Sequence, residues 1–217
     1  MKVAAFFFDL DGTLIDTEAL WTRAIVQLLN ARGVAATFEE VVPQVIGRNW
    51  IDIDRALHER YPGMGETTMM EDAAELRGYF ESYAADPESM KIAGSIDFLK
   101  RAAALAPVAI VSGSPRDDVL KAVELCGISR YVRFVLGGAD YAEGKPSPSG
   151  YLKAAEMLGV DNSSCVVIED SEVGVRSGVA AGMKVIALDR STLMKQNFEG
   201  ETWRVKDLGE FDWGNFE

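Results

Sequence analysis

Six apolar residues, Val3 to Phe8, run without a break into Asp9-Leu10-Asp11-Gly12. A Phe-rich run this short predicts a strand buried on both faces. The pattern then changes period. Leu20, Ala24, Ile25, Leu28 and Leu29 recur at helical spacing behind Asp16-Thr17, which can cap a helix, and Arg32-Gly33 ends the run. Thr37 and Glu40 form a capping-box pattern for a second helix through Val45. Ile46 to Trp50 reads as a loop. A third helix holds Ile51 to Tyr61 and stops before Pro62-Gly63, and a fourth, polar and rich in Glu and Met, runs from about Thr67 to Tyr83. No strand pattern interrupts this stretch. Asp86-Pro87 and Ile92 to Gly94 read as a return linker, and Ser95 as the cap of a helix carrying Phe98 and Leu99.

From Pro107 short apolar runs alternate with stretches of helical spacing. Val108–Val111, Val132–Leu136, Cys165–Ile168 and Lys184–Leu188 are predicted strands; Asp117–Leu125, Pro148–Leu158 and Gly174–Ala181 are predicted helices, the last with Gly182 as its C-cap. The tail, Trp203 to Phe211, adds a last strand and a short helix. Strands alternating with helices predict an α/β fold with a Rossmann-like, doubly wound parallel sheet. The expected division is a core of residues 1–15 and 89–217 with an inserted all-helical domain at 16–88.

At 217 residues, 48% of them hydrophobic, the chain can bury a sizeable core. Its net charge of −12 disfavours nucleic acid or an anionic membrane surface as partner, since both need basic patches. Cys126 and Cys165 lack metal-like spacing and read as free thiols in a reducing compartment. No run reaches transmembrane length. A cytoplasmic monomer acting on a small molecule is the expectation.

The chemistry gathers at predicted strand ends, where open α/β sheets build their sites. Asp9 and Asp11 lie two apart, so an extended backbone points both carboxylates to one side. A strand ending in Asp-Gly can also open a hairpin. Ser112 begins a Ser-Gly-Ser turn whose hydroxyl and amides, that of Gly113 included, can hold phosphate oxygens. Lys145 sits in Gly-Lys-Pro-Ser-Pro, a loop stiffened by two prolines. Glu169-Asp170 repeats the first pattern, an apolar run ending in carboxylates. Hard cations such as Mg²⁺ take carboxylate oxygens, so the two acidic strand ends together suit one.

Phe8-Asp9-Leu10-Asp11-Gly12-Thr13-Leu14 resembles the first motif of the haloacid dehalogenase superfamily, in its phosphatase and phosphomutase branch. Ser112 resembles the second motif, Lys145 the third, and Ile168-Glu169-Asp170-Ser171 with Gly174 and Gly178 the fourth. The helical insertion falls where that family places a cap. The resemblance implies that Asp9 is a nucleophile forming an aspartyl phosphate and that Asp11 is the general acid/base. It also implies Mg²⁺ held by Asp9, the main-chain carbonyl of Asp11, Asp170 and Glu169, with Ser112, Gly113 and Lys145 on the phosphate. Mutase-like members carry a His where this chain has Trp21, and the lone His58 reads as a surface residue. The expected activity is therefore hydrolysis of a sugar phosphate, with a β-phosphoglucomutase-like reaction and a non-catalytic binding module as alternatives. Arg48, Asn49 and Trp50 in the insertion are the expected specificity residues: a guanidinium for a second anionic group, an amide for a hydroxyl and an indole for a sugar face.

Overall fold

The computed structural model describes residues 2–45, 50–92, 94–190 and 196–216. The chain divides into two compact units, Met1–Ile15 with Lys91–Glu217, and Asp16–Met90.

The first unit holds a six-stranded sheet, every neighbouring pair parallel. Its strands are β1 (Ala5–Phe8), β2 (Val108–Val111), β3 (Phe134–Leu136), β4 (Cys165–Glu169), β5 (Lys184–Leu188) and β6 (Trp203–Val205), in the order β3-β2-β1-β4-β5-β6. β1 pairs in parallel with β2 and with β4, which excludes the hairpin. The two halves of the sheet wind away from each other from β1 and β4, so the switch point lies at the carboxyl ends of those two strands.

Both faces of β1 are covered, as its unbroken apolar run requires. Phe7 stacks on Tyr151, ring centroids 6.5 Å apart, while Phe8 meets Phe98 and Phe6 meets Phe216 edge-on. The ring of Phe98 belongs to α6 (Ser95–Ala103), and Tyr151 to α8 (Ser149–Leu158). Two further helices of the alternation, α7 (Arg116–Leu125) and α9 (Glu172–Ala180), begin shortly after the strand ends that carry Ser112 and Asp170.

In the second unit α1 (Thr17–Ala31), α2 (Phe38–Val45), α3 (Trp50–Arg60) and α4 (Met69–Ala84) bury Ile25, Leu28, Leu29, Val41, Leu57 and Leu76. Asp16 caps α1, its carboxylate accepting from the Ala19 amide at 3.1 Å. Thr68 and Glu71 form a full capping box on α4. Trp21 stacks on Phe80 with centroids 4.2 Å apart.

Three local expectations change. The return linker contains a single helical turn, α5 (Pro87–Met90). Ser95 does not cap α6: Gly94 takes the cap position at φ +78°, and the buried Ser95 hydroxyl has no hydrogen-bond partner among the described residues. His58 is no plain surface residue. Its Nε2 lies 2.9 Å from the buried carboxylate of Asp72, which also accepts from Arg32 at 2.8 Å. Helical periodicity cannot show such pairing, because Arg32 directly follows α1, His58 stands on α3 and Asp72 on α4.

Candidate active site

Strand register assembles the acidic cluster. Phe8 pairs with Ile168, so the next residues along, Asp9 and Glu169, emerge side by side at the switch point. Asp170 follows. Carboxylate oxygens of Asp9, Glu169 and Asp170 lie within 4.8 Å of one another. Two glycines make room for them. Gly12 turns at φ +81°, and a Cβ there would overlap the Asp170 carboxylate. A Cβ at Gly174 would overlap the carboxyl group of Glu169. Thr13 donates its hydroxyl to Asp170 Oδ1 at 3.0 Å.

Lys145 lies between two of these acids, its Nζ 2.5 Å from Asp9 Oδ1 and 2.5 Å from Glu169 Oε1. Asp11 faces another way. Its Oδ2 accepts from Ser114 Oγ at 2.8 Å and from Ser112 Oγ at 3.4 Å. The β2 end is tied in by Tyr141, which donates to the Ser112 carbonyl at 2.9 Å. Thus Asp9, Asp11, Ser112, Lys145, Glu169 and Asp170, chosen at separate strand ends, stand in one cluster. Gly113 lies in the turn between Ser112 and Ser114. Arg48 and Asn49 lie outside the described residues; Trp50 opens α3.

Burial shapes the charges. It pushes Asp9 up to about 7, with Glu169 and Asp11 adding to the rise and Lys145 opposing it. It raises Asp170 as well, helped by Asp9 and Glu169. Burial alone would lower Lys145, but the carboxylates of Asp9 and Glu169 overcome it and hold the ammonium charged far above its usual range. One lysine is thus set among three crowded acids. An all-oxygen donor set of this kind fits a hard divalent cation, whose charge would complete the neutralisation.

Three participants were not legible in the sequence. Ser114 lies one residue past the expected Ser-Gly pair. Tyr151 donates to Glu169 Oε1 at 2.8 Å from within α8, where its position reads as core. Gln196 spans the start of α9, accepting from the Glu172 amide at 2.9 Å and donating to the Asp170 carbonyl at 3.0 Å. The Ser-Gly-Ser repeat was the one available signal for Ser114.

Residues 3–182 match the family model described as hydrolase, haloacid dehalogenase-like hydrolase. The chain belongs to that family. Hexitol phosphatase A of Escherichia coli K12 is 32% identical over 191 residues, covering 87% of this chain and 84% of the relative. The 6-phosphogluconate phosphatase of the same organism is 29% identical, covering 85% and 81%. A chloroplastic plant protein, SUPPRESSOR OF QUENCHING 1 of Arabidopsis thaliana, is 30% identical, but the chain spans 18% of its length. A crystal structure from Thermotoga maritima, titled as a candidate β-phosphoglucomutase, superposes with a TM-score of 0.77 at 22% identity over 95% of both chains, which shows the shared fold. The phosphatase relatives place this member among the phosphoric monoester hydrolases.

Proposed function

We propose that the protein is a Mg²⁺-dependent phosphatase that hydrolyses a small phosphate monoester, a sugar phosphate, by way of an aspartyl phosphate on Asp9. The observation that carries this reading is the Asp9 carboxylate at the carboxyl end of β1, one oxygen against Lys145 and the other acids beside it. Phosphoryl transfer needs an in-line nucleophile, charge neutralisation and a proton for the leaving oxygen. Asp9 attacks phosphorus and the P–O bond to the leaving alcohol breaks. Asp11 supplies that alcohol with its proton and later takes one from the water that hydrolyses the aspartyl phosphate. Lys145, the Ser112 hydroxyl and the Gly113 amide hold the non-bridging oxygens. Asp9, Asp170 and the Asp11 carbonyl, with Glu169 directly or through water, are the residues that would hold Mg²⁺. Bound there, the cation supplies charge neutralisation between nucleophile and phosphate.

The helical unit is read as the cap, with Arg48, Asn49 and Trp50 choosing among phosphate esters, because the core groups named above would hold only the phosphate. The relatives named for hexitol phosphates and 6-phosphogluconate support a polyol or sugar phosphate. The mutase reading is disfavoured, since Trp21 stands where mutase-like members carry His and is spent on stacking with Phe80. We place the enzyme in the cytoplasm as a monomer, with no nucleic acid or membrane partner; no described helix is long and apolar enough to cross a membrane.

A panel of phosphorylated metabolites with Mg²⁺, read by released phosphate, tests the reading. Release from sugar phosphates is expected. Conversion of β-glucose 1-phosphate to glucose 6-phosphate without phosphate release would overturn it in favour of the mutase. Absence of turnover on the panel and on p-nitrophenyl phosphate would favour the binding module.

A further inference from the structure

Tyr151 is fully buried, yet its hydroxyl and its ring both face charged partners. Glu169 has no exposed surface and carries four contacts. Its Oε1 accepts from Lys145 Nζ and from the Tyr151 hydroxyl, and its Oε2 from the hydroxyl of Ser171 at 3.1 Å and its amide at 3.4 Å. The Tyr151 ring lies beneath the Lys145 ammonium, 5.4 Å from centroid to Nζ, and stacks on Phe7, two residues before Asp9. One side chain therefore meets the strand carrying Asp9, the carboxylate at the end of β4 and the lysine between them. A free lysine side chain carries about 2 kcal/mol of rotamer entropy, so its ammonium stays in one place only if its surroundings pin it.

We propose that Tyr151 is a positioning residue of the phosphate site, its hydroxyl fixing Glu169 and, through Glu169, holding the Lys145 ammonium beside Asp9. The inference rests on the phosphatase reading above and adds to it a residue outside the four motifs. It also divides the acids. With donors on both of its oxygens, Glu169 serves as the anchor of Lys145 and would meet a cation only through water, while Asp9 and Asp170 would bear it directly. Loss of the phenol hydroxyl should therefore weaken the grip on phosphate and leave the cation's affinity alone.

The test is a double-mutant cycle between Tyr151→Phe and Lys145→Ala, read by calorimetric titration of inorganic phosphate into the Mg²⁺-loaded proteins and of Mg²⁺ into the phosphate-free ones. Turnover of p-nitrophenyl phosphate is recorded alongside. Tyr151→Phe should weaken phosphate about tenfold, the scale of one hydrogen bond to a charged group. Its Mg²⁺ affinity should stay within about twofold of wild type, and adding it to Lys145→Ala should cost nothing further, because both changes remove one unit. Unchanged phosphate affinity in Tyr151→Phe, or losses that multiply in the double variant, would overturn the proposal and leave the phenol a core-filling group. Tyr151→Met, also without a donor, carries the cycle if the Phe variant does not fold. A wild-type protein that neither binds phosphate nor turns over p-nitrophenyl phosphate would remove the phosphatase reading itself, and this inference with it. Wild-type activity with an indifferent Tyr151 would remove the inference alone.

Discussion

The ammonium of Lys145 lies 2.5 Å from Oδ1 of Asp9, although 136 residues separate them in the chain. The pairing gives Asp9 a cation on one side while its acidic neighbours crowd it on the other. Asp9→Asn keeps the side-chain shape and removes both the nucleophile and one repelling charge. It should abolish turnover of p-nitrophenyl phosphate while the fold persists. Circular dichroism and a phosphate-release assay check the two halves. Mg²⁺-dependent turnover in this variant, with deamidation excluded by mass, would remove Asp9 as nucleophile.

The raised Asp9 and Asp170 make stability depend on pH in a definite direction. Between about pH 4 and pH 7 folded Asp9 keeps a proton that the unfolded chain has released, and the raised Asp170 acts in the same direction. Their contribution is complete below the unfolded carboxylate range and is lost as pH rises toward 7. Without a divalent cation, the melting temperature should fall from pH 5 to pH 8, and less steeply in Asp9→Asn. Added Mg²⁺ should raise it more at pH 8 than at pH 5.5, where the cation must first displace a proton. Equal Mg²⁺ shifts at both pH values would contradict the assignment. Chelation should stop turnover, with Ca²⁺ a poor substitute because its looser coordination misplaces the nucleophile.

What was legible in the sequence is what local order encodes. Val3–Phe8 and Cys165–Ile168 are apolar runs that end in acids, so both strand and site could be read from a few residues each. The Lys145 loop was legible through its prolines. Tyr151 was not, because a tyrosine at a helical core spacing looks the same whether its hydroxyl is idle or bonded to a residue 18 positions on. The His58–Asp72 pair was hidden for the same reason, since nothing in a helical pattern says which partner helix a polar group will face. Ser95 misled because a serine ahead of an apolar period is a good N-cap, but the preceding glycine had already made the turn.

Gly12 tests how tightly the acids are packed. Gly12→Ala combines a strained positive φ with a Cβ inside the Asp170 carboxylate. The strain costs on the order of 1–3 kcal/mol. Asp170 must also move, so Mg²⁺ affinity should fall by more than the loss of stability alone explains. Titration calorimetry on the folded variant checks this; wild-type Mg²⁺ affinity would mean that Asp170 is not a ligand.

In the helical unit, Asp72 is the buried partner of both Arg32 and His58, and its carboxyl is held below the ordinary range: burial opposes this, but hydrogen bonds from Thr67, Arg32 and His58 prevail. Removing Asp72 leaves the Arg32 guanidinium with only Glu75, at 2.7 Å, of its two carboxylates and the His58 imidazole without its nearest one. Asp72→Ala should cost about 2–4 kcal/mol, below the roughly 3–5 kcal/mol of a fully buried pair because Arg32 keeps some exposure to solvent and a second carboxylate. Asp72→Asn, which retains an acceptor, should lose less. Urea unfolding of the two variants ranks them, and equal stability of Asp72→Ala with wild type would show that the network adds nothing.

Ser114 gives a sharper test of Asp11, because its hydroxyl lies closer to that carboxylate than the Ser112 hydroxyl does, 2.8 Å against 3.4 Å. A general acid must aim its proton at the leaving oxygen, and a carboxylate with one fewer tether samples more orientations. Ser114→Ala should lower kcat several-fold with KM nearly unchanged, since the phosphate-binding groups stay in place. Ser114→Thr restores the hydroxyl and should recover most of the rate. The effect should also be larger for an alkyl phosphate than for p-nitrophenyl phosphate, whose leaving group departs without needing a proton. If the two substrates respond alike, or if threonine fails to rescue, then Ser114 acts on the loop and not through Asp11.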